Sequence, residues 1–147
     1  MNLHSVLRAL AGAAAVVGAL ASAQAQAQSV AVTSIVEHPA LDAVKDGVHE
    51  ALASAGYTEA KGLKWQFQTA QGNTAIAAQI ARKFVGDKPD VIVAIATPSA
   101  QAVVAATKSI PVVYSAVTDP VAAQLVPGME ASGTNVTGVS DALSLEK

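Results

Sequence analysis

From Val30 onward the chain alternates short apolar runs with longer segments whose apolar residues recur every three or four positions. Residues 30–36 are apolar and β-branched and read as a first strand. His38 and Pro39 interrupt the run, and Pro39 suits the first turn of a helix, where its missing N–H is not needed. Leu41, Val44, Val48, Leu52 and Ala55 then trace the stripe of an amphipathic helix. Asp42, Lys45, Asp46, His49 and Glu50 fall off that stripe, so His49 is expected on the exposed polar face. Gly56 closes the helix as a left-handed cap. Trp65, Phe67 and Thr69 alternate with Lys64, Gln66 and Gln68, a period of two that predicts a second strand near a sheet edge with one wetter face.

Asn73 is placed as the N-cap of a second helix, whose inner face is Ile76, Ala77, Ile80, Ala81 and Phe84. Residues 91–96 are apolar without a break, as expected for a parallel strand covered on both faces. A third helix is predicted over residues 99–107 and a fourth strand over 110–117, opened by Pro111. A short helix follows from Asp119 to about residue 125, then a fifth strand over 135–139. Strand and helix in strict alternation predict an α/β fold, an open parallel sheet with helices on both faces.

The first residues have a different character. Arg8 precedes an alanine-rich apolar stretch, and residues 21–28 alternate alanine or serine with glutamine. A basic start, an apolar middle and small residues at the end predict a cleavable export signal over residues 1–27, cut after Ala23, Ala25 or Ala27. The apolar stretch is shorter than the roughly 20 residues a membrane-spanning helix needs. A periplasmic destination follows, with residues 28–147 as a single domain. With no cysteine in the sequence, disulfides, thiolate chemistry and a lipid anchor on cysteine are excluded. Nine Lys and Arg against 11 Asp and Glu, scattered along the chain, argue against nucleic-acid binding, which needs clustered cations to neutralise phosphates.

In open parallel sheets ligands bind beyond the carboxyl ends of the strands. Here those ends are residues 34–39, 69–73, 97–100 and 115–120, rich in hydroxyls, amides and helix starts. Thr97, Ser99 and Ala100 combine two hydroxyls with the free N–H groups of a helix N-terminus, a combination that favours a carboxylate; from spacing alone, ordinary helix capping is the simpler reading of the same residues. Thr118 and Asp119 bring a carboxylate able to meet an ammonium group, or to act as an N-cap before Pro120. Glu37 and His38 precede the first helix. His38 would serve as a general base only with a partner, and none is apparent in the sequence, so capping or exposure is the simpler reading. The phosphate-binding glycine motifs, the Gly-x-Ser-x-Gly elbow and metal-ligand spacings are all absent, so no cofactor, metal or catalytic residue is expected and the chain reads as a binder, not an enzyme.

Four stretches carry a resemblance. His38-Pro39-Ala40-Leu41-Asp42 with Gly47 and Gly56-Tyr57 is the first, residues 89–102 the second, residues 110–120 the third and residues 135–141 the fourth. Together they resemble the tryptophan/tyrosine-type ABC transporter substrate-binding protein family. The resemblance implies a type I periplasmic binding fold, in which two α/β lobes close on a ligand. It implies that Thr97, Ser99 and Ala100 hold the ligand carboxylate, that Thr118 and Asp119 sit at the ammonium end, and that Glu37 and His38 line the cleft. The implied partners are a small zwitterion, an aromatic amino acid among the candidates, and the membrane permease of an importer. In the family a second lobe follows a segment like residues 135–141, so residues 28–147 are expected to be the N-terminal lobe alone, a truncated form with the second lobe missing. The alternatives are a ligand-sensing receptor domain and a small α/β hydrolase.

Overall fold

The computed structural model describes residues 27–141. The expected export signal lies, but for Ala27, outside the described residues, as does the chain after Asp141. Five strands, β1 (Ser29–Ser34), β2 (Lys64–Thr69), β3 (Val91–Ile95), β4 (Val112–Val117) and β5 (Val136–Ser140), make one sheet. Their spatial order is β2-β1-β3-β4-β5 and every neighbouring pair is parallel. The connecting helices are α1 (Pro39–Ser54), α2 (Thr74–Asp87) and α3 (Thr97–Ala106), with a single 3-10 turn at Glu59–Lys61. The α/β fold with a parallel sheet is therefore as the alternation predicts.

The strand order decides where the helices go. Parallel crossovers are right-handed, so the direction of travel along the sheet sets the face each helix covers. The chain steps one way from β1 to β2, then turns back past β1 to β3 and on to β4. α1 therefore packs on one face, with Leu41, Val44, Val48 and Leu52 against Val30, Val32, Val93 and Ile95. α2 and α3 share the other face, over Ala31, Ile92, Ala94, Val112, Tyr114 and Val136. β3 is buried on both faces from Ile92 to Ile95, which explains its unbroken apolar run. The two faces are filled unequally. α2 buries Ala77, Ile80, Ala81 and Phe84, and α3 buries Ser99, Ala100 and Val103, whereas no residue of α1 is fully buried.

Capping residues fix the helix ends as the sequence suggests. His38 Nδ1 accepts the Ala40 N–H at 3.2 Å, and Asn73 Oδ1 accepts those of Ala75 and Ile76 at 2.8 and 3.2 Å. Past α1, Gly56 takes a φ of 93°, which a residue with a Cβ enters only at a cost.

Three expectations need correction. The short helix from Asp119 is one hydrogen-bonded turn, closed by Ala123 N–H to Asp119 O at 3.0 Å. Gln124 then turns left-handed, with φ 60°, and stops it. β1 ends at Ser34, because the Ser34 hydroxyl bonds Val36 O at 2.9 Å and draws the chain out of the ladder. His49 is not simply exposed: its ring meets Trp65 edge-on at 4.6 Å, and Nε2 lies 2.6 Å from Glu59 Oε1. Lys45, one turn earlier, sits 4.9 Å over the Phe67 ring. The His49 ring thus packs on Trp65 while its Nε2 meets Glu59, and the Lys45 ammonium lies over the Phe67 ring as a cation–π contact, so both cover the aromatic side chains of the edge strand β2.

The His49 contact holds the Glu59 carboxyl below the usual carboxylate range, chiefly through the side-chain hydrogen bond. A lowered folded-state value means that this contribution to stability is present above the unfolded pKa and is lost as pH falls through the folded one. Replacing His49 by alanine is expected to raise the Glu59 value toward the ordinary carboxylate range, because the largest cause of its lowering is removed. A carbon-detected NMR titration of the carboxyl reads this directly, and an unchanged midpoint would show that the pair has no electrostatic effect.

Candidate ligand-binding site

Because all five strands are parallel, the segments leaving β1, β3 and β4 emerge side by side at one edge of the sheet, on strands about 4.8 Å apart. The reversal of direction falls between β1 and β3, the switch point at which sheets of this order leave a crevice. Glu37 and His38 lie on its β1 side, Thr97, Ser99 and Ala100 on its β3 side, and Thr118 and Asp119 one strand further on. The loop after β2 closes the other flank, tied to the β1 exit by Gly72 N–H to Ile35 O at 2.6 Å.

The helix starts around this edge differ in one respect. α1 and α2 are capped by side chains, whereas the N-cap of α3, Ala96, has no side chain that can accept a hydrogen bond. Of the first-turn N–H groups of α3, that of Ala100 reaches Ala96 O at 3.1 Å; Pro98 has none, and those of Thr97 and Ser99 have no acceptor among the described residues. The Ser99 hydroxyl is fully buried and also has no partner among the described residues. First-turn N–H groups have no intrahelical partner in any helix, but a buried hydroxyl left unpaired costs about 1–3 kcal/mol, so Ser99 sets this turn apart. The capping role that Thr97 and Ser99 might have played is not the one the structure gives them.

The predicted residues divide by exposure. Thr97 is partly exposed at the first helical position, while Ser99 and Ala100 are buried behind it. Glu37 and Thr118 are exposed. Asp119 is exposed too, and its Oδ1 accepts the N–H groups of Val121 and Ala122 at 3.1 and 2.9 Å, so it caps the turn that follows while Oδ2 has no hydrogen bond among the described residues. His38 is occupied at Nδ1 by the α1 cap.

Electrostatics gives the edge a direction. Residues 34–39, 69–73, 96–100 and 118–120 contain no Lys or Arg. An anion settling there would have only main-chain N–H groups, hydroxyls and the positive end of α3 to hold it. Glu37 and Asp119 flank that position with negative charge. An acceptor-poor helix start beside two carboxylates complements a molecule carrying both an anionic and a cationic end.

One residue of the site has no sequence signal. Ala96 has φ 74° and ψ 154°, a conformation almost confined to glycine. Ala116, in β4, has φ 54° and sits at a register shift between Tyr114 and Val117 where the strand bulges. The two are joined through Ala96 N–H to Ser115 O at 2.9 Å.

Comparison with known proteins agrees in family. Residues 29–147 match the model of the family described as ABC transporter substrate binding protein. The chain is 48% identical over 120 residues to a tyrosine-binding protein of Clostridioides difficile, covering 82% of this chain and 35% of that one. Among solved structures it is similar to a conserved domain protein of Vibrio cholerae, at 59% identity and a TM-score of 0.79, covering 80% of this chain and 40% of that one. A ligand-free, open substrate-binding protein with adhesive properties from Clostridium difficile matches at 47% identity and a TM-score of 0.78, over 80% of this chain and 40% of that one. An ABC domain of Streptococcus pneumoniae in complex with L-Trp matches at 38% identity and a TM-score of 0.75, covering 78% of this chain and 39% of that one. The chain thus spans between 35% and 40% of the length of these relatives. With the match extending over all but the first residues, the chain belongs to the ABC transporter substrate-binding protein family.

Proposed function

We propose that residues 28–147 form one wall of an amino-acid site in the periplasmic solute-binding component of an ABC importer, which delivers its ligand to a membrane permease. The observation that carries this reading is the uncapped start of α3, with the N–H groups of Thr97 and Ser99 unclaimed and the Ser99 hydroxyl buried without a partner. A ligand carboxylate supplies the missing acceptors. The free Oδ2 of Asp119, with Thr118 beside it, supplies a partner for the ammonium group, and Glu37 and His38 line the β1 side of the crevice. Relatives described as tyrosine-binding and as an L-Trp complex support an aromatic amino acid as the ligand. His38 Nδ1 accepts the Ala40 N–H at the start of α1, which supports a capping role for His38 over that of the general base a hydrolase would need.

A single wall leaves much of a ligand wet, whereas pockets bury about 70–90% of a small ligand. Binding by this chain alone is therefore expected to be weak, and a submicromolar constant by calorimetry would refute the one-wall reading. A nitrogen-15 NMR titration with L-tyrosine or L-tryptophan is expected to move the amide signals of Thr97 and Ser99 first. Tyramine, which lacks the carboxylate, should leave those two signals in place. The deaminated analogue 3-(4-hydroxyphenyl)propionate should move them without disturbing Asp119. If tyramine moves Thr97 and Ser99 as far as tyrosine does, the carboxylate assignment is wrong.

A further inference from the structure

We propose that Ala96 is a positioning residue whose strained backbone holds the first turn of α3 open toward the crevice. This rests on the reading of that turn as a carboxylate seat. At φ 74° and ψ 154° Ala96 occupies a region that is essentially glycine-only, yet it carries a Cβ. Both of its main-chain groups are pinned. Its N–H donates to Ser115 O at 2.9 Å, at the end of the β3–β4 ladder, and its carbonyl accepts from Ala100 N–H at 3.1 Å, the first bond of α3. Ser115 lies within the register shift between Tyr114 and Val117, next to Ala116, which also has positive φ. Strand, bulge and helix thus over-determine one residue, the circumstance in which backbone strain persists.

The identity of the residue matters as much as its angles. Serine, asparagine or aspartate at an N-cap would turn a side-chain oxygen onto the N–H groups of the second and third helical positions. Such a cap would fill the seat from within. Glycine would relieve the strain but widen the conformations open to the turn. Alanine does neither: it leaves the donors of Thr97 and Ser99 unclaimed and restricts where they point. The seat is then ordered before a ligand arrives, and the cost of ordering it is met in folding and not in binding.

Ala96→Gly separates this role from plain packing. The variant is expected to melt about 4–8 °C higher than the parent, because the strained Cβ is gone. In the same variant the nitrogen-15 order parameters of Thr97 and Ser99 should fall from the rigid range near 0.85 to below about 0.6, while α1 and α2 stay rigid. The shifts that L-tyrosine induces at those two amides should shrink several-fold. Lys88→Gly, at a left-handed position closing α2, is the control: it should raise the melting temperature without touching Thr97 or Ser99. An Ala96→Gly protein that melts at or below the parent temperature overturns the claim of strain. One that melts higher while its first turn stays rigid overturns the claim of positioning. A parent chain whose Thr97 and Ser99 ignore both L-tyrosine and L-tryptophan overturns the amino-acid reading instead, while melting and order parameters still decide the role of Ala96.

Discussion

Replacing Gly138 by alanine is expected to cost about 3 kcal/mol or more, at or beyond the upper end of the usual range for overpacking. Gly138 pairs with Tyr114 across the β4–β5 ladder, on the face covered by α2 and α3. A Cβ built there would lie 2.2 Å from Tyr114 O and 2.5 and 2.6 Å from Cγ and Cδ2 of the Tyr114 ring. The ring could in principle swing aside, but the carbonyl belongs to the strand and moves only with the backbone. The strand must therefore separate locally or the ladder must shift, and Tyr114, which is buried, loses its packing either way. For a domain of this size the loss corresponds to a fall in melting temperature on the order of 10 °C or more. Thermal unfolding followed by circular dichroism reads it. Adding Tyr114→Ala to the variant should not restore stability, because the carbonyl contact remains. A Gly138→Ala protein melting within 2–3 °C of the parent, on the order of what about 0.5 kcal/mol would produce, would mean that β4 and β5 do not approach as described.

Phe84→Ala is the second large effect, expected near the upper end of the about 3–5 kcal/mol seen when buried aromatics are truncated. Phe84 is fully buried on α2, and its neighbours in that core include Ala31, Ala77, Ala81, Ala94 and Ala100. Alanines have no rotamers with which to fill a void, so the cavity left by the ring would persist and its lining would lose contacts outright. Domains have only about 5–15 kcal/mol in total, so this one change removes a large share. In urea the midpoint should drop with an unchanged slope, the sign of lost stability without a change in the surface exposed on unfolding. Phe84→Leu, which keeps most of the volume, should recover more than half of the loss; equal losses for both variants would show that the cavity is not what matters.

Much of the fold was legible because short-range physics dictated it. The three-and-four spacing from Leu41 to Leu52, the alternation of Trp65 and Phe67, and the side chains of His38 and Asn73 each act within a turn or two of themselves, so one sequence displays them whole. The parallel strand ends were legible for the same reason, and with them the neighbourhood of the candidate site. What escaped notice needed a partner distant in sequence. His49 looked exposed because Trp65 and Glu59 are brought to it only by the fold. Ser99 belongs to the same helical face as Val103 and lies next to Ala100, a spacing that could have announced its burial, but α3 is so uniformly small and apolar that no face stands out. Asp119-Pro120 carried a genuine helix-start signal, which Gln124 overrode a turn later. Ala96 is the extreme case, since an alanine at positive φ is indistinguishable from any other alanine until its backbone is seen. Gly138 did carry a signal: a glycine inside a strand often marks close approach of another backbone.

The central place of β1 in the sheet has a consequence for the order of events as the polypeptide is made. Ser29 is emitted early, yet Asp90, whose carboxylate receives its N–H at 2.7 Å, comes 61 residues later. Until β3 has followed, β1 lacks one of its two neighbours, and the long loop between them must close before any contact rewards it. β1 is therefore without its β3 neighbour on the ribosome while the 61 residues from Ser29 to Asp90 are made, and the middle of the sheet can close only once Ile95 has emerged.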